Sequence, residues 1–332
     1  MKMVILGNRG GTNVGESFLS AAANGGIDAR FVEARSAMEA PAWKRHFFWR
    51  ILGRRPVRLS EFSRTFEALC EEERPSVVLT TGIAPLDRAA VESVGARCLT
   101  LNYLTDDPWN PAHRAAWFLD ALPAYRRVFS PRRTNLDDLR RLGCSNVDYL
   151  PFAYDPSFFY PEAAPAAVRT RYEADVFFAG GADAGRAALL GAVAAAGFSL
   201  ALYGDYWERF TATAGLGRGY ADAVTIRRAA SASRVCLGLV RRDNRDGHSM
   251  RSFEVPACGG CLLAEDTLEH REILGDEGDC ALYFKTEEQM IVKLRSLLSD
   301  APLRSRLSSA GLGRISRPGN TYAARLKTMV SG

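Results

Sequence analysis

The sequence predicts an α/β protein built from two consecutive parallel-sheet domains, and three observations carry that reading. Short apolar runs alternate with helical periodicities along nearly all of the 332 residues. A proline-rich stretch without period divides this alternation near its middle. Each half opens on a strand closed by a glycine-rich turn that runs into a helix. The length agrees, since domains hold about 150 residues each.

In the first half, the run from Lys2 to Leu6 is closed by Gly7, Gly10 and Gly11, and a helical pattern follows over residues 15–23. Further strand patterns fall at 29–32, 77–80, 98–104, 127–129 and 147–150. Between them Phe62, Phe66, Leu69 and Cys70 keep helical spacing. Such alternation describes βαβ units on a parallel sheet, a Rossmann-like domain. Residues 151–165, PFAYDPSFFYPEAAP, hold four prolines and suit an inter-domain linker. Strand patterns then resume at 175–179, 199–203, 235–240, 261–264 and 280–284, with helices at 186–196, 250–258 and 287–298. The tail 302–330 reads as helix, interrupted at Arg317-Pro318-Gly319.

Composition excludes some functions. The 43 Lys+Arg exceed the 38 Asp+Glu by only five, and Arg is spread along the chain, so no nucleic-acid face is expected. Arginine outnumbers lysine heavily. A GC-rich genome gives that skew as readily as phosphate recognition does. Seven cysteines, an odd number set among apolar runs, read as reduced thiols of a cytoplasmic protein. The opening MKMVILGNRGG is too short for a secretory or membrane segment, and no later run reaches 18 apolar residues. Cys258 and Cys261 form a lone C-x-x-C without a second pair, and His248 and His270 lack H-E-x-x-H spacing, so no metal site is predicted.

Four segments carry candidate chemistry. GNRGGTNVGESF, from Gly7, lacks the G-x-G-x-x-G dinucleotide fingerprint, which argues against NAD. Its Gly10 and Gly11 mark either a ligand loop or a tight turn. FFAGGADAGR places Gly180, Gly181 and Arg186 at a strand–turn–helix junction, where a diphosphate can meet a helix start, or where an arginine covers a helix end. Asn244 to Leu274 runs from a polar loop into a helix, with Asp246 and Glu254 in D-x7-E spacing and Arg251 between them. There a carboxylate can accept ribose hydroxyls and a guanidinium can neutralise phosphates. NYLTDDPWNPAH ends a strand on Asp106 and Asp107, which either deprotonate an acceptor hydroxyl or form turns and caps beside the prolines; His113 reads as a surface histidine. A fifth segment, Lys44 to Arg58 (KRHFFWRILGRRPVR), interleaves aromatics with cations. It either lies on an anionic membrane or packs its aromatics on the sheet.

With those residues in view, the second half resembles the GT-B fold glycosyltransferases, close to the CgeB-like group named for spore-maturation proteins. The resemblance rests on VFFAGG with Arg186, LYGDYW, CLGLVRRDNRDGHSMRSFEVPACGG, LLAEDTLEH and NTYAARLKTM. It implies two Rossmann-like domains facing a cleft: an acceptor domain at 1–155, a donor domain at 156–316, and a helix at 317–332 packing back on the first. In such transferases an E-x7-E motif binds the nucleotide-sugar; its second Glu matches Glu254, and its first position is Asp246 here, a departure from the family pattern. The resemblance further implies a donor site of Gly180, Gly181, Arg186, Tyr203, Gly204, His248, Ser249, Arg251 and Glu254, with Tyr203 or Trp207 stacking on the base unless they pack the strand end. Asp106, Asp107 and Asp246 are the catalytic candidates, and Gly10 and Gly11 form the acceptor-side loop. The expected activity is metal-independent, retaining transfer from a UDP-, GDP- or dTDP-sugar to a glycan or protein acceptor, as in polysaccharide biosynthesis. No cofactor is expected, and the location is the cytoplasm, with peripheral contact to the inner membrane face through residues 44–58. A nucleotide-sugar-binding protein without turnover and a nucleotide-sugar epimerase are the alternatives.

Overall fold

The computed structural model describes residues 1–10, 12–163 and 165–331. The chain divides into two units. The first holds residues up to Pro151, the short segment Asp243–Arg245, and the end of the chain from Tyr322. The second holds Phe152–Arg242 and Asp246–Thr321.

In the first unit, strands β1 (Lys2–Gly7), β2 (Asp28–Glu33), β3 (Val77–Thr81), β4 (Leu99–Tyr103), β5 (Arg127–Ser130) and β6 (Val147–Tyr149) form one parallel sheet in the order β2-β1-β3-β4-β5-β6. Met3, Val4, Ile5 and Leu6 have no exposed surface, because helices cover both faces of a parallel sheet and its central strands read as unbroken apolar runs. The helices are α1 (Val14–Asn24), α2 (Ala42–Arg50), α3 (Leu59–Glu73), α4 (Arg88–Gly95), α5 (Ala116–Ala121) and α6 (Thr134–Leu142). On α3 the buried Leu59, Ser63, Phe66 and Cys70 recur every three or four residues, the spacing of one helical face.

In the second unit, β7 (Val176–Ala179), β8 (Leu200–Tyr203), β9 (Val235–Gly238), β10 (Leu262–Glu265) and β11 (Ala281–Phe284) make a second parallel sheet in the order β11-β10-β9-β7-β8. Around it lie α7 (Ala166–Tyr172), α8 (Ala184–Ala195), α9 (Ala223–Ala232), α10 (Arg251–Ala257), α11 (Leu268–Leu274), α12 (Glu287–Ser299) and α13 (Ala301–Ile315). The last helix, α14 (Tyr322–Ser331), belongs to the first unit. Its Tyr322 ring meets Phe18 of α1 edge-on at 5.1 Å, and Arg325 donates to the Pro151 carbonyl at 2.9 Å.

Two expectations need correction. The stretch read as a linker is packed: Phe152, Tyr154 and Phe159 are buried, and Tyr154 N–H donates to the Asn320 carbonyl at 3.1 Å. Its prolines remove the period, and its aromatics still seek burial. The second correction concerns Asp107, expected as a catalytic base. After Arg242 the chain gives three residues to the first unit, and Arg245 forks onto Asp107 with Nε at 2.5 Å and Nη2 at 3.0 Å. Asn135 Nδ2 and Trp109 N–H also donate to Asp107 Oδ1, each at 3.0 Å. Oδ1 thus takes three donors and Oδ2 one, so the carboxylate is held on both oxygens. Asp107 is a structural clamp.

The same segment is held at further points. Arg245 Nη1 reaches Asp138 at 2.7 Å, and Asn244 bonds Asn110 at 2.5 Å and Asp106 at 3.0 Å. Arg245 adopts φ +50°, a left-handed conformation that a side chain seldom takes without compensation from its contacts. Replacing Arg245 by Ala strands a carboxylate that is 1% exposed. Breaking a fully buried pair costs about 3–5 kcal/mol; Arg245 itself is partly exposed, so a loss of about 2 kcal/mol is expected, read as a lower urea midpoint.

Candidate functional site

Counted from its own first strand, the second sheet has the order 2-1-3-4-5. The connections leave β7 and β9 in opposite directions, and ligands of open α/β sheets bind at that divide, beyond the carboxyl ends of the strands. The turn after β7 is Gly180-Gly181. Gly180 N–H donates to the Tyr203 carbonyl and Ala182 N–H to the Asp205 carbonyl, which ties this turn to the end of β8. Gly204 sits between those carbonyls at φ +120°, and a Cβ there would lie 2.1 Å from the Gly180 oxygen. Only glycine fits.

Arg186, on the first turn of α8, is 7% exposed. Its Nη1 donates to the Gly181 carbonyl at 3.2 Å and its Nη2 to the Leu239 carbonyl at 3.0 Å, bridging the loops after β7 and β9. It therefore shapes the turn from beneath. The start of α8 is itself filled, since Asp183 caps it by accepting from Arg186 N–H at 2.9 Å. A carboxylate therefore stands at the helix start where the sequence places the diphosphate. Burial, followed by the neighbouring Arg241 cation, lowers the Arg186 pKa from its ordinary value. Arg241 was not singled out in the sequence; one of its guanidinium nitrogens lies 3.2 Å from where a Cβ on Gly181 would stand. Its position just beyond β9, at the switch point, is the signal that could have found it.

The segment 246–254 closes the other side. Arg251 donates through Nε to the Ala179 carbonyl at 3.3 Å, and its guanidinium pairs with Glu254, which is 2% exposed. The predicted sugar grip and anion grip are thus one ion pair, one helical turn apart on α10. Asp246 N–H donates to the Arg241 carbonyl at 3.2 Å, and the Asp246 carboxylate lies within electrostatic reach of Arg186. Ser249 N–H donates to Ser252 Oγ at 3.2 Å. Ser252 Oγ lies 2.9 Å from His270 Nε2, and His270 Nδ1 lies 2.7 Å from the Glu265 carbonyl. A carbonyl only accepts, so Nδ1 carries the proton and Nε2 accepts from Ser252.

Three donor-site expectations change. His248 is 1% exposed, stacked edge-on between Phe152 and Phe253, and its Nε2 accepts from Phe152 N–H at 3.1 Å; it is a packing histidine rather than a ligand contact. Tyr203 and Trp207 are 6% and 2% exposed and pack against Phe177 and Phe178, so neither ring offers a face to a base. In the first unit, Asp106 is partly buried and accepts from Asn244 and, at 3.3 Å, from Thr105. His113 is likewise partly buried and donates to the Asp107 carbonyl at 2.8 Å. Gly10 adopts φ +74° with open space on its Cβ side, and its N–H donates to Glu16 at 3.2 Å; Gly11 lies outside the described residues. Burial pushes the Cys258 thiol up to about 12 and Cys261 up to about 11, so both stay protonated.

Comparison with known proteins then sets this geometry in context. Residues 186–331 match a family model described as glycosyl transferase-like. Sucrose-phosphate synthase from Thermosynechococcus elongatus is similar over 99% of this chain and 98% of its own, with TM-score 0.68 and 15% identity. HepE from Anabaena, solved with UDP and glucose, covers the same shares with TM-score 0.67 and 12% identity. The UDP-GlcNAc 2-epimerase of Neisseria meningitidis, bound to UDP-GlcNAc, matches over 100% of both chains with TM-score 0.59 and 11% identity. None of the curated proteins matches the sequence. At these identities the likeness is one of fold: two parallel-sheet Rossmann-like domains of the GT-B type.

Two outcomes test the geometry. Gly204→Ala drives a Cβ into the Gly180 carbonyl at a left-handed residue, and a loss of at least about 2 kcal/mol is expected in chemical unfolding. His270 supplies a pH dependence: burial pushes its pKa down to about 4, below the ordinary 6.5. Between those values the unfolded chain binds the extra proton, so the contribution is complete above pH 6.5 and is lost as pH falls toward 4. The loss is roughly 3 kcal/mol, and below pH 4 it grows no further. A His270→Gln variant should show a flatter stability profile over that window.

Proposed function

We propose that the chain is a glycosyltransferase that takes a sugar from a nucleoside-diphosphate donor held by its second unit. The observation that carries this reading is the Arg251–Glu254 pair beside the Gly180-Gly181 turn, with Arg186 shaping that turn and Arg241 close to it. The match of residues 186–331 to a glycosyl transferase-like family and the whole-chain fold likeness to UDP-bound proteins support it. Arg241 and Arg251 meet the diphosphate, the uncommitted Gly181 N–H adds a donor, and Glu254 keeps acceptor positions for the ribose hydroxyls. Transfer breaks the bond from the anomeric carbon to the phosphate oxygen and joins that carbon to an acceptor hydroxyl. The charge that develops on the leaving diphosphate falls to the two arginines, without a metal ion. Of the catalytic candidates, Asp107 is engaged by Arg245, Asp106 is the proposed base for the acceptor hydroxyl, and Asp246 balances the arginine cluster. Retention of the anomeric configuration belongs to the same reading, carried by the resemblance of D-x7-E to E-x7-E. The acceptor is a glycan or protein hydroxyl.

Removing Arg251 or Glu254 should weaken UDP binding by about 10- to 100-fold, the worth of one or two charge-assisted hydrogen bonds. Calorimetric titration of UDP into wild type, Arg251→Ala and Glu254→Ala measures it. Equal affinities in all three would remove the site. The likeness to UDP-GlcNAc 2-epimerase favours a second reading, epimerisation of the donor itself. Incubating the chain with a UDP-sugar and no acceptor separates them: an epimerised sugar supports the epimerase, and product formed only with acceptor supports the transferase.

A further inference from the structure

We propose that one face of α2, formed by Trp43, Phe47 and Ile51 and flanked by Lys44 and Arg50, docks on an anionic lipid bilayer. No residue of α2 is buried. Trp43, Phe47 and Ile51 are 68%, 48% and 66% exposed, and their spacing of four puts them on one side of the helix. The other side is only partly covered: Phe48 is half-buried beside a recess it shares with Val57, and Trp49, still 42% exposed, lines an apolar cavity with Met38, Ile83 and Trp117. The outward rings are therefore surplus to the packing of the unit. The helix end is also fixed in place. Arg54 donates to the Pro111, Ala112 and Arg114 carbonyls at 2.5, 3.0 and 3.0 Å, Trp117 donates back to the Arg54 carbonyl at 3.2 Å, and Pro56 is buried.

Charge decides the occupant. No carboxylate occurs between Glu39 and Glu61, and both of those are taken by Arg58. Among the described residues Lys44, Arg45 and Arg50 form no ion pair. A second copy of the chain placed face to face would set these cations against their own likeness, which opposes a symmetric dimer. Tryptophan and phenylalanine between exposed cations match instead the layered chemistry of a membrane interface, where rings sit at headgroup depth and cations meet anionic lipid. No helix among the described residues is long and apolar enough to cross a membrane, so the contact is one of attachment at the surface.

Co-sedimentation of the full chain with vesicles tests this, comparing phosphatidylcholine alone with phosphatidylcholine containing phosphatidylglycerol. Binding is expected only with phosphatidylglycerol and should fall as salt rises. The triple variant Trp43→Ser, Phe47→Ser, Ile51→Ser should lose it, and each of Lys44→Glu and Arg50→Glu should weaken it about fivefold or more. These positions are exposed, and an unchanged circular-dichroism spectrum and UDP affinity confirm that the variants fold, which separates this test from that of the donor site. Three outcomes would overturn the proposal: no binding to anionic vesicles, binding unchanged in the triple variant, or a dimer in light scattering that the triple substitution abolishes.

Discussion

The candidate site depends on one buried cation. Arg186 sits beneath the switch point of the second sheet and spends its guanidinium on two backbone carbonyls, those of Gly181 and Leu239. Carbonyls at the ends of parallel strands would otherwise point acceptor oxygens toward the place where a ligand binds. Arg251 treats the Ala179 carbonyl in the same way. With these oxygens turned onto guanidinium groups, the rim of the sheet presents N–H donors and positive charge, which is what an anion requires. The cost is a desolvated arginine beside a second one, offset by Asp183, Asp246 and Glu265 within electrostatic range.

Carboxylates occupy the helix starts in both units. In the first unit, Glu16 in the first turn of α1 accepts from Gly10, and in the second Asp183 caps α8. Each puts a carboxylate where the helix dipole would otherwise favour a phosphate. Side-chain guanidiniums are left to supply the positive charge, and they differ from a helix start in being movable. Arg251 pairs with Glu254. A ligand that brings a diphosphate to the arginine and hydroxyls to the carboxylate can replace that pairing on both sides at once, so neither buried charge is left unmatched.

The alternation of strands and helices was legible because it is written locally. Continuous apolar runs such as Met3 to Leu6 and Leu262 to Ala264 can hardly lie anywhere but inside a doubly covered sheet. Gly204 and the Gly180-Gly181 turn were legible for a related reason: a close backbone approach demands glycine, whatever binds there. The partners of charged residues were not legible. Asp107 was open between an acid at a strand end and a turn former beside the prolines, and the arginine that pairs with it lies 138 residues away. His248 shared a polar loop with Ser249 and Arg251, and only the fold brings Phe152 to its other side. Local pattern fixes which face a residue is on; the identity of its neighbour across that face is a property of topology.

The contrast between the two arginine-rich segments follows from the same logic. Around β7 and β9 each guanidinium has a backbone oxygen or a carboxylate in reach, and its position is determined by what it holds. On α2, Lys44, Arg45 and Arg50 form no ion pair among the described residues, Lys44 lies over the Trp43 ring, and three large apolar side chains stand exposed. Burying such side chains yields roughly 1.5–3 kcal/mol each, so a fold that could use them internally would do so at little cost. The neighbouring Phe48 is half-buried on the same short helix, so that option exists one residue from Phe47. Its outward aromatics are therefore best understood as serving an apolar surface outside the protein, and the uncompensated cations beside them specify that this surface is negatively charged.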